Sequence, residues 1–182
     1  MKTFDIAILL ATLAPNLCLA AGPFDGIWQN FQWWSDQRIE VCEVTVMRQR
    51  GNRVCGFWQN FASSHVYEGR FIANAKGNTL NWESECSDGR NSMAICPEPS
   101  IYSTENPKPA DKIGWDSTNA KSLFCGGKVY YFGSGVVPGN CAVISKRLKS
   151  EAFTKKAATS KQNAPGQDPK EQEWIKSCLE AG

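Results

Sequence analysis

The 182-residue chain sets 20 Lys and Arg against 18 Asp and Glu, a formal net charge of +2. That length suits a single domain with a modest core. Neither a Lys/Arg field for nucleic acid nor an acidic field for metal buffering is present in the sequence.

The start, Met1-Lys2-Thr3-Phe4-Asp5, leads into the apolar run Ile6–Ala14, which Pro15 and Asn16 end. Cys18 and Ala20 are small residues at the −3 and −1 positions of a cut after Ala20, so residues 1–20 read as a signal peptide. The run is too short for a membrane span, which needs about 20 apolar residues. The expectation is a periplasmic or secreted protein with no stable membrane insertion once the signal is removed.

Strand signals follow in order. Phe24–Phe31 is a first strand entered through Pro23, and Arg38–Met47 is rich in β-branched residues. Arg50-Gly51-Asn52-Arg53 is a hairpin turn, because Gly and Asn accept the positive φ that such turns require. Val54–Gln59 returns from it, Tyr67–Ala73 follows, and Lys76-Gly77-Asn78 turns into Leu80–Cys86. Strict alternation there puts Leu80, Trp82, Ser84 and Cys86 on one face, with Glu83 and Glu85 on the solvent face. Six residues echo: Gly26-Ile27-Trp28-Gln29-Asn30-Phe31 and Gly56-Phe57-Trp58-Gln59-Asn60-Phe61. The simple explanation is two strands, each with an inward Trp beside a Gly that permits close packing.

Between Ser87 and Ala120 regular patterning fades among prolines, as in a long loop that is functional or held by a crosslink. Ser122–Phe132 is a hairpin about Gly126-Gly127, and Cys141–Ser145 reads as a last strand. Residues 148–167 are Lys/Ala/Ser/Gln-rich and read as a flexible linker. Asp168-Pro169-Lys170-Glu171 then starts a short helix with a capping box, Trp174 and Cys178 sharing one face. The domain plan is a signal at 1–20, a barrel at 21–147, a linker at 148–167 and a helix at 168–182. The fold class is mainly β: an antiparallel up-and-down barrel or sandwich, disulfide-stabilised, with a short C-terminal helix.

Of eight cysteines, seven follow Ala20. In an exported chain they read as a disulfide framework with one thiol left over. With no C-x-x-C and a single histidine, the paired spacing of a zinc site is missing, and no metal or cofactor is expected. If Gly51-Asn52 is a two-residue turn, Cys55 faces Arg48 and Cys42 lies six positions farther along its strand. That is roughly 20 Å at about 3.3 Å per residue, against the ~7 Å between Cα atoms that a disulfide allows. The expected pairs are Cys86–Cys96 and Cys125–Cys141, with Cys178 taking Cys42 or Cys55.

Catalytic signals are weak. Ser64 and His65 point apart on a strand and lack an orienting carboxylate, and Glu83 and Glu85 are read as solvated. Trp33-Trp34 stands out, because adjacent strand residues face opposite sides and both cannot be core. Trp33, Trp34, Trp58 and Tyr67 are the candidate binding residues, exposed aromatics being common anchors.

Gly26-x-Trp28, Gly51-Asn52, Val54-x-Gly56, Tyr67-x-Gly69 and Leu80-x-Trp82 together resemble the opening of a calycin-type barrel, as in lipocalin-like and avidin-like chains. The resemblance spans about the first third of the mature chain and implies a barrel with one open mouth. Asn30 matches in type the polar residue of the avidin-like Gly-x-Trp-x-Asn segment, but the downstream pattern departs, and no biotin site is carried over. The leading expectation is a non-enzymatic exported binding protein, an inhibitor or immunity-type protein acting on another exported protein. The alternatives are a carrier of a small apolar ligand, which a barrel packed solid would exclude, and an enzyme of unrecognised type using Glu83, Glu85 or His65.

Overall fold

The computed structural model describes residues 21–34, 39–62, 65–88, 93–97, 112–135, 140–147, 152–156 and 168–181. The signal-peptide segment 1–20 lies outside them. Five long strands come first: β1 (Gly26–Trp34), β2 (Ile39–Arg50), β3 (Arg53–Ala62), β4 (His65–Lys76) and β5 (Thr79–Ser87). After them come β6 (Asp116–Ser117), β7 (Lys121–Cys125), β8 (Lys128–Tyr131), α1 (Cys141–Arg147), β9 (Ala152–Lys156) and α2 (Pro169–Glu180).

All the strand pairings are antiparallel, and they close. β1 through β5 pair in sequence, β5 pairs β7, β7 pairs β8, β8 pairs β9, and β9 returns to β1. The result is an eight-stranded closed barrel, with β6 as a two-residue addition beside β5. Closure gives each of the five long strands a neighbour on both sides over at least part of its length. The Gly51-Asn52 hairpin has the expected register, Arg50 opposite Arg53 and Cys55 opposite Arg48.

Two expectations for the C-terminal part are corrected. Cys141–Ser145 is not a strand but the start of α1. Asn140 Oδ1 accepts from the Val143 N–H at 2.9 Å and starts the turn, and Ile144 is buried while Ala142 and Val143 are exposed. A strand would have buried Ala142 with Ile144. The expected linker at 148–167 contains β9, the strand that closes the barrel, so the barrel extends to Lys156. Its composition hid it: only Ala152 and Phe153 are buried, and Lys155 lays its chain along the wall with Nζ 5.6 Å from the Trp28 ring centre.

Inside the barrel, Trp28, Met47, Val54, Phe71, Leu80 and Phe153 belong to one core. Two glycines make room for it. A methyl group at Gly56 would collide with Phe71 and the Val46 carbonyl, and one at Gly69 with Trp58 and the Cys86 carbonyl. The outer wall carries two smaller cores. One lies under α2 (Ile27, Val44, Val46, Phe57, Trp174, Ile175) and one under α1 (Leu123, Tyr130, Ile144).

Three disulfides fasten this arrangement: Cys55–Cys178, Cys86–Cys96 and Cys125–Cys141, with Cα separations of 6.2, 4.8 and 5.4 Å. The two local pairs are those expected, and Cys178 takes Cys55. Cys42 sits opposite Phe61 and belongs to none of the three. Such crosslinking is compatible with an oxidising, exported location. No described helix is long and apolar enough to cross a membrane.

α2 starts as its sequence implies, Asp168 accepting from the Lys170 and Glu171 N–H groups with Pro169 in the first turn. The Glu171 side chain, expected to complete a capping box, is turned instead to Arg70. Its carboxylate accepts from Arg70 Nη2 at 2.9 Å and Nε at 3.4 Å. Arg70 has no exposed surface. It also donates to the Pro97 carbonyl at 3.2 Å and lies 5.2 Å from the Trp174 ring centre. Burial lifts the Glu171 carboxyl above its ordinary range, and the Arg70 hydrogen bonds pull against that lift. Removing one partner strands a buried charge, which costs about 3–5 kcal/mol, whereas replacing both by apolar groups is far milder. Arg70→Met is therefore expected to lose that much stability in non-reducing urea unfolding. The double variant Arg70→Met/Glu171→Leu should regain most of it. A loss under about 1 kcal/mol for Arg70→Met would show the pair to be incidental.

Candidate functional site

The barrel interior is filled at one end and open at the other. Toward the β2–β3 hairpin, Phe24, Val54, Ala75, Leu80 and Phe124 pack together, with Phe124 edge-on to Trp28 at 6.0 Å. Above them lies a cavity of about 280 Å³. Trp58, Trp82, Val129 and Phe153 wall it, Met93 reaches it from the segment after β5, and Glu43, Asn60, Glu85 and Tyr131 line it as well.

The second copy of the repeated hexapeptide supplies Trp58 and Asn60 to one side of this cavity. The two copies lie in β1 and β3, on either side of β2 and in the same register. Met47 is paired with Gly26 and Gly56, Thr45 with Trp28 and Trp58, and Glu43 with Asn30 and Asn60. The inward Trp residues beside glycine are as expected. What the echo adds is a carboxyl flanked by two carboxamides on the inner wall. Tyr67 extends this row opposite Asn60 but does not line the cavity.

Glu85 corrects the reading of β5. Ile72 pairs with Ser84 and Ala73 with Trp82, so Glu83 is an unpaired extra residue, a β-bulge. The bulge breaks the two-residue alternation. Glu83 is exposed, while Glu85 joins Trp82 in lining the cavity, and Cys86 turns away to meet Cys96. Glu83 and Glu85 therefore do not share a solvated face. Trp82 is locked by stacking on Phe71 at 4.0 Å and by donating from Nε1 to Ser122 Oγ at 3.1 Å.

The electrostatics are one-sided. The lining has two carboxyls and no Lys, Arg or His among the described residues. Burial pushes the Glu43 carboxyl up to about 7. Glu85 is also raised, chiefly by burial, with a Thr118 hydrogen bond opposing and Asp116 adding to the rise. The Tyr131 phenol is pushed up to about 12 by burial and then by Glu85 and Glu43. Asn60 Oδ1 is buried and meets no hydrogen-bond donor among the described residues. A buried acceptor of this kind is costly unless something fills the space in front of it.

Of the sequence candidates, Trp58 lines the cavity. Trp33 and Trp34 pair with Glu40 and Ile39 at the end of β1, and their side chains lie outside the described residues. His65 begins β4 opposite Ala62, and its side chain likewise lies outside them. Glu43, Asn60 and Tyr131 escaped sequence reasoning. The signal for the first two was the hexapeptide echo, which marks two strands flanking a third. Comparison with family models, curated proteins and solved structures finds no match for the chain.

The raised Glu43 pKa has a signed consequence. Between pH 4.5, its ordinary value, and about 7 the folded protein keeps a proton that the unfolded chain has released. Stability from this residue is then greatest at the acidic end and falls as pH rises through that window. Glu43→Gln removes the slope. Urea midpoints of the wild type should fall relative to the variant from pH 4.5 to 7, and parallel profiles would place Glu43 in water.

Proposed function

We propose that this protein is an exported, non-enzymatic binding protein that holds a small ligand inside its barrel. The single observation behind this is the cavity. The end of the barrel away from the β2–β3 hairpin is not packed solid but leaves about 280 Å³ between aromatic walls and a few convergent polar groups. Small-molecule sites commonly have that composition, and lie in the mouths of β-barrels. The ordered Trp82, with its indole and ring face both engaged, gives such a ligand a pre-formed surface. The arrangement accords with the calycin-like reading of the first strands, and the signal-like leader with its downstream disulfides supports delivery to the periplasm or outside the cell.

A role in blocking a protein partner, the first expectation from sequence, retains one supporting observation. Phe31 and Phe61 flank Cys42 on the outer wall with 52% and 38% of their surface exposed, a small apolar patch of the sort partners use. The cavity weighs more, because two partly buried carboxyls and an unanswered amide oxygen are costs that a protein-blocking role does not explain.

The test fills the cavity. Thr45 is buried on its wall between Trp28 and Trp58, and Thr45→Phe would occupy the space. Ligand-observed NMR of a small-molecule library against the disulfide-bonded wild type should give hits that disappear with Thr45→Phe. Hits that persist in the variant, or an absence of hits alongside capture of a protein through Phe31 and Phe61, would overturn the small-ligand reading.

A further inference from the structure

Resting on the small-ligand reading, we infer that the cavity takes a small organic ammonium ion, its nitrogen at Glu43 and Asn60 and its apolar body against Trp58 and Trp82. The selection comes from the inventory of polar groups. Glu43 and Asn60 are direct cross-strand partners on the inner wall, where opposed side chains start about 5 Å apart. Asn60 offers an acceptor with no donor, and Glu43 offers two more acceptor oxygens. Glu85 faces the same space. Trp82 Nε1 is already engaged by Ser122 Oγ.

The lining thus carries two carboxyls, an open carboxamide oxygen and no cationic side chain among the described residues, and that one-sided charge discriminates among ligands. An anion would meet two carboxyls and no cationic lining residue. A neutral alcohol would answer one acceptor with its one hydroxyl proton. An alkylammonium carries three donors and no acceptor, and the faces of Trp58, Trp82 and Tyr131 attract a cation further. A bare divalent ion fits less well, since among the described residues no three His, Cys, Asp or Glu side chains come together to hold one.

Binding is then coupled to protons. The groups around Glu43 are Asn30 and Asn60 on the neighbouring strands, Glu85 and Tyr131 across the cavity, and beyond Glu85 the Asp116–Lys112 ion pair at 2.9 Å. The ligand stays protonated below about pH 9, as simple amines do. Ammonium binding favours the ionised Glu43, so affinity climbs as pH rises toward and past neutrality.

Titration calorimetry of the disulfide-bonded protein with 2-phenylethylamine, 2-phenylethanol, phenylacetate and calcium chloride separates the classes. The amine is expected to bind about tenfold or more tightly than the alcohol, tighter at pH 8 than at pH 5.5, with phenylacetate and calcium silent. Glu43→Gln should erase the pH dependence and the amine's advantage over the alcohol, and Asn60→Leu should weaken the amine. Equal binding of amine and alcohol, or an unchanged Glu43→Gln, would overturn the ammonium class and leave the small-ligand reading standing. Binding of calcium alone, or of no organic probe, would also overturn it. The small-ligand reading is decided separately by the Thr45→Phe experiment.

Discussion

A guanidinium with no exposed surface must be answered from more than one direction, and Arg70 is answered by two separate parts of the chain. Glu171 comes from α2, the Pro97 carbonyl from the segment after Cys96, and the Trp174 ring from α2 again. Trp115, ahead of β6, stacks on Trp174 at 5.9 Å and widens the same cluster. The position of the helix on the barrel follows from this. Apolar packing of Trp174 and Ile175 favours contact with the wall but has little directional preference. The ion pair and the Cys55–Cys178 bond fix which turn of the helix meets which strand. With the outer wall of β2 and β3 covered in this way, outward residues such as Val44, Val46 and Phe57 can be apolar.

The inner face follows another logic. Its closed end is a packed apolar plug, and its open end carries groups that a stability argument alone would avoid. Partly buried carboxyls and an unanswered carboxamide oxygen lower stability, and sites that break the ordinary rules of burial are where function is usually found. Two devices put those groups there. One is the paired hexapeptide, which sets Asn30 and Asn60 on either side of Glu43. The other is the bulge at Glu83, which turns Glu85 inward. Gly69 lets Trp58 lie close against β4 and so shapes the space beside both.

Much of the scaffold can be read from residue patterns because its signals are local. Turns at Gly51-Asn52 and Gly126-Gly127 fix hairpin registers, and a register in turn separates the cysteines that can meet from those that cannot. The pattern fails where the decisive contact is distant. Nothing near Glu83 in sequence announces a bulge, since the extra residue is visible only against the pairing of β4. Cys141–Ser145 has β-branched residues suited to a strand, yet Asn140 caps it into a helix. β9 is polar in composition because one inward Phe153 and lysines with long aliphatic stems suffice for a five-residue strand held between β1 and β8. The cavity carboxyls shared this difficulty: Glu43 and Glu85 look like ordinary polar positions until closure sets them in one space.

β9 also determines how the molecule comes to exist. β1 through β5 each pair with the strand just made, so that half of the sheet assembles from neighbours in sequence. Closure waits for residues 154–156, which meet Ile27, Trp28 and Gln29 across almost the whole chain. Contacts of such sequence separation form slowly. Until β9 arrives, β1 and β8 are raw edges, open to pairing with another copy. Five polar-looking residues thus stand between an open curl and a barrel. Substitutions in them would be felt first as aggregation of the newly made chain, and only secondarily as weakness of the finished fold.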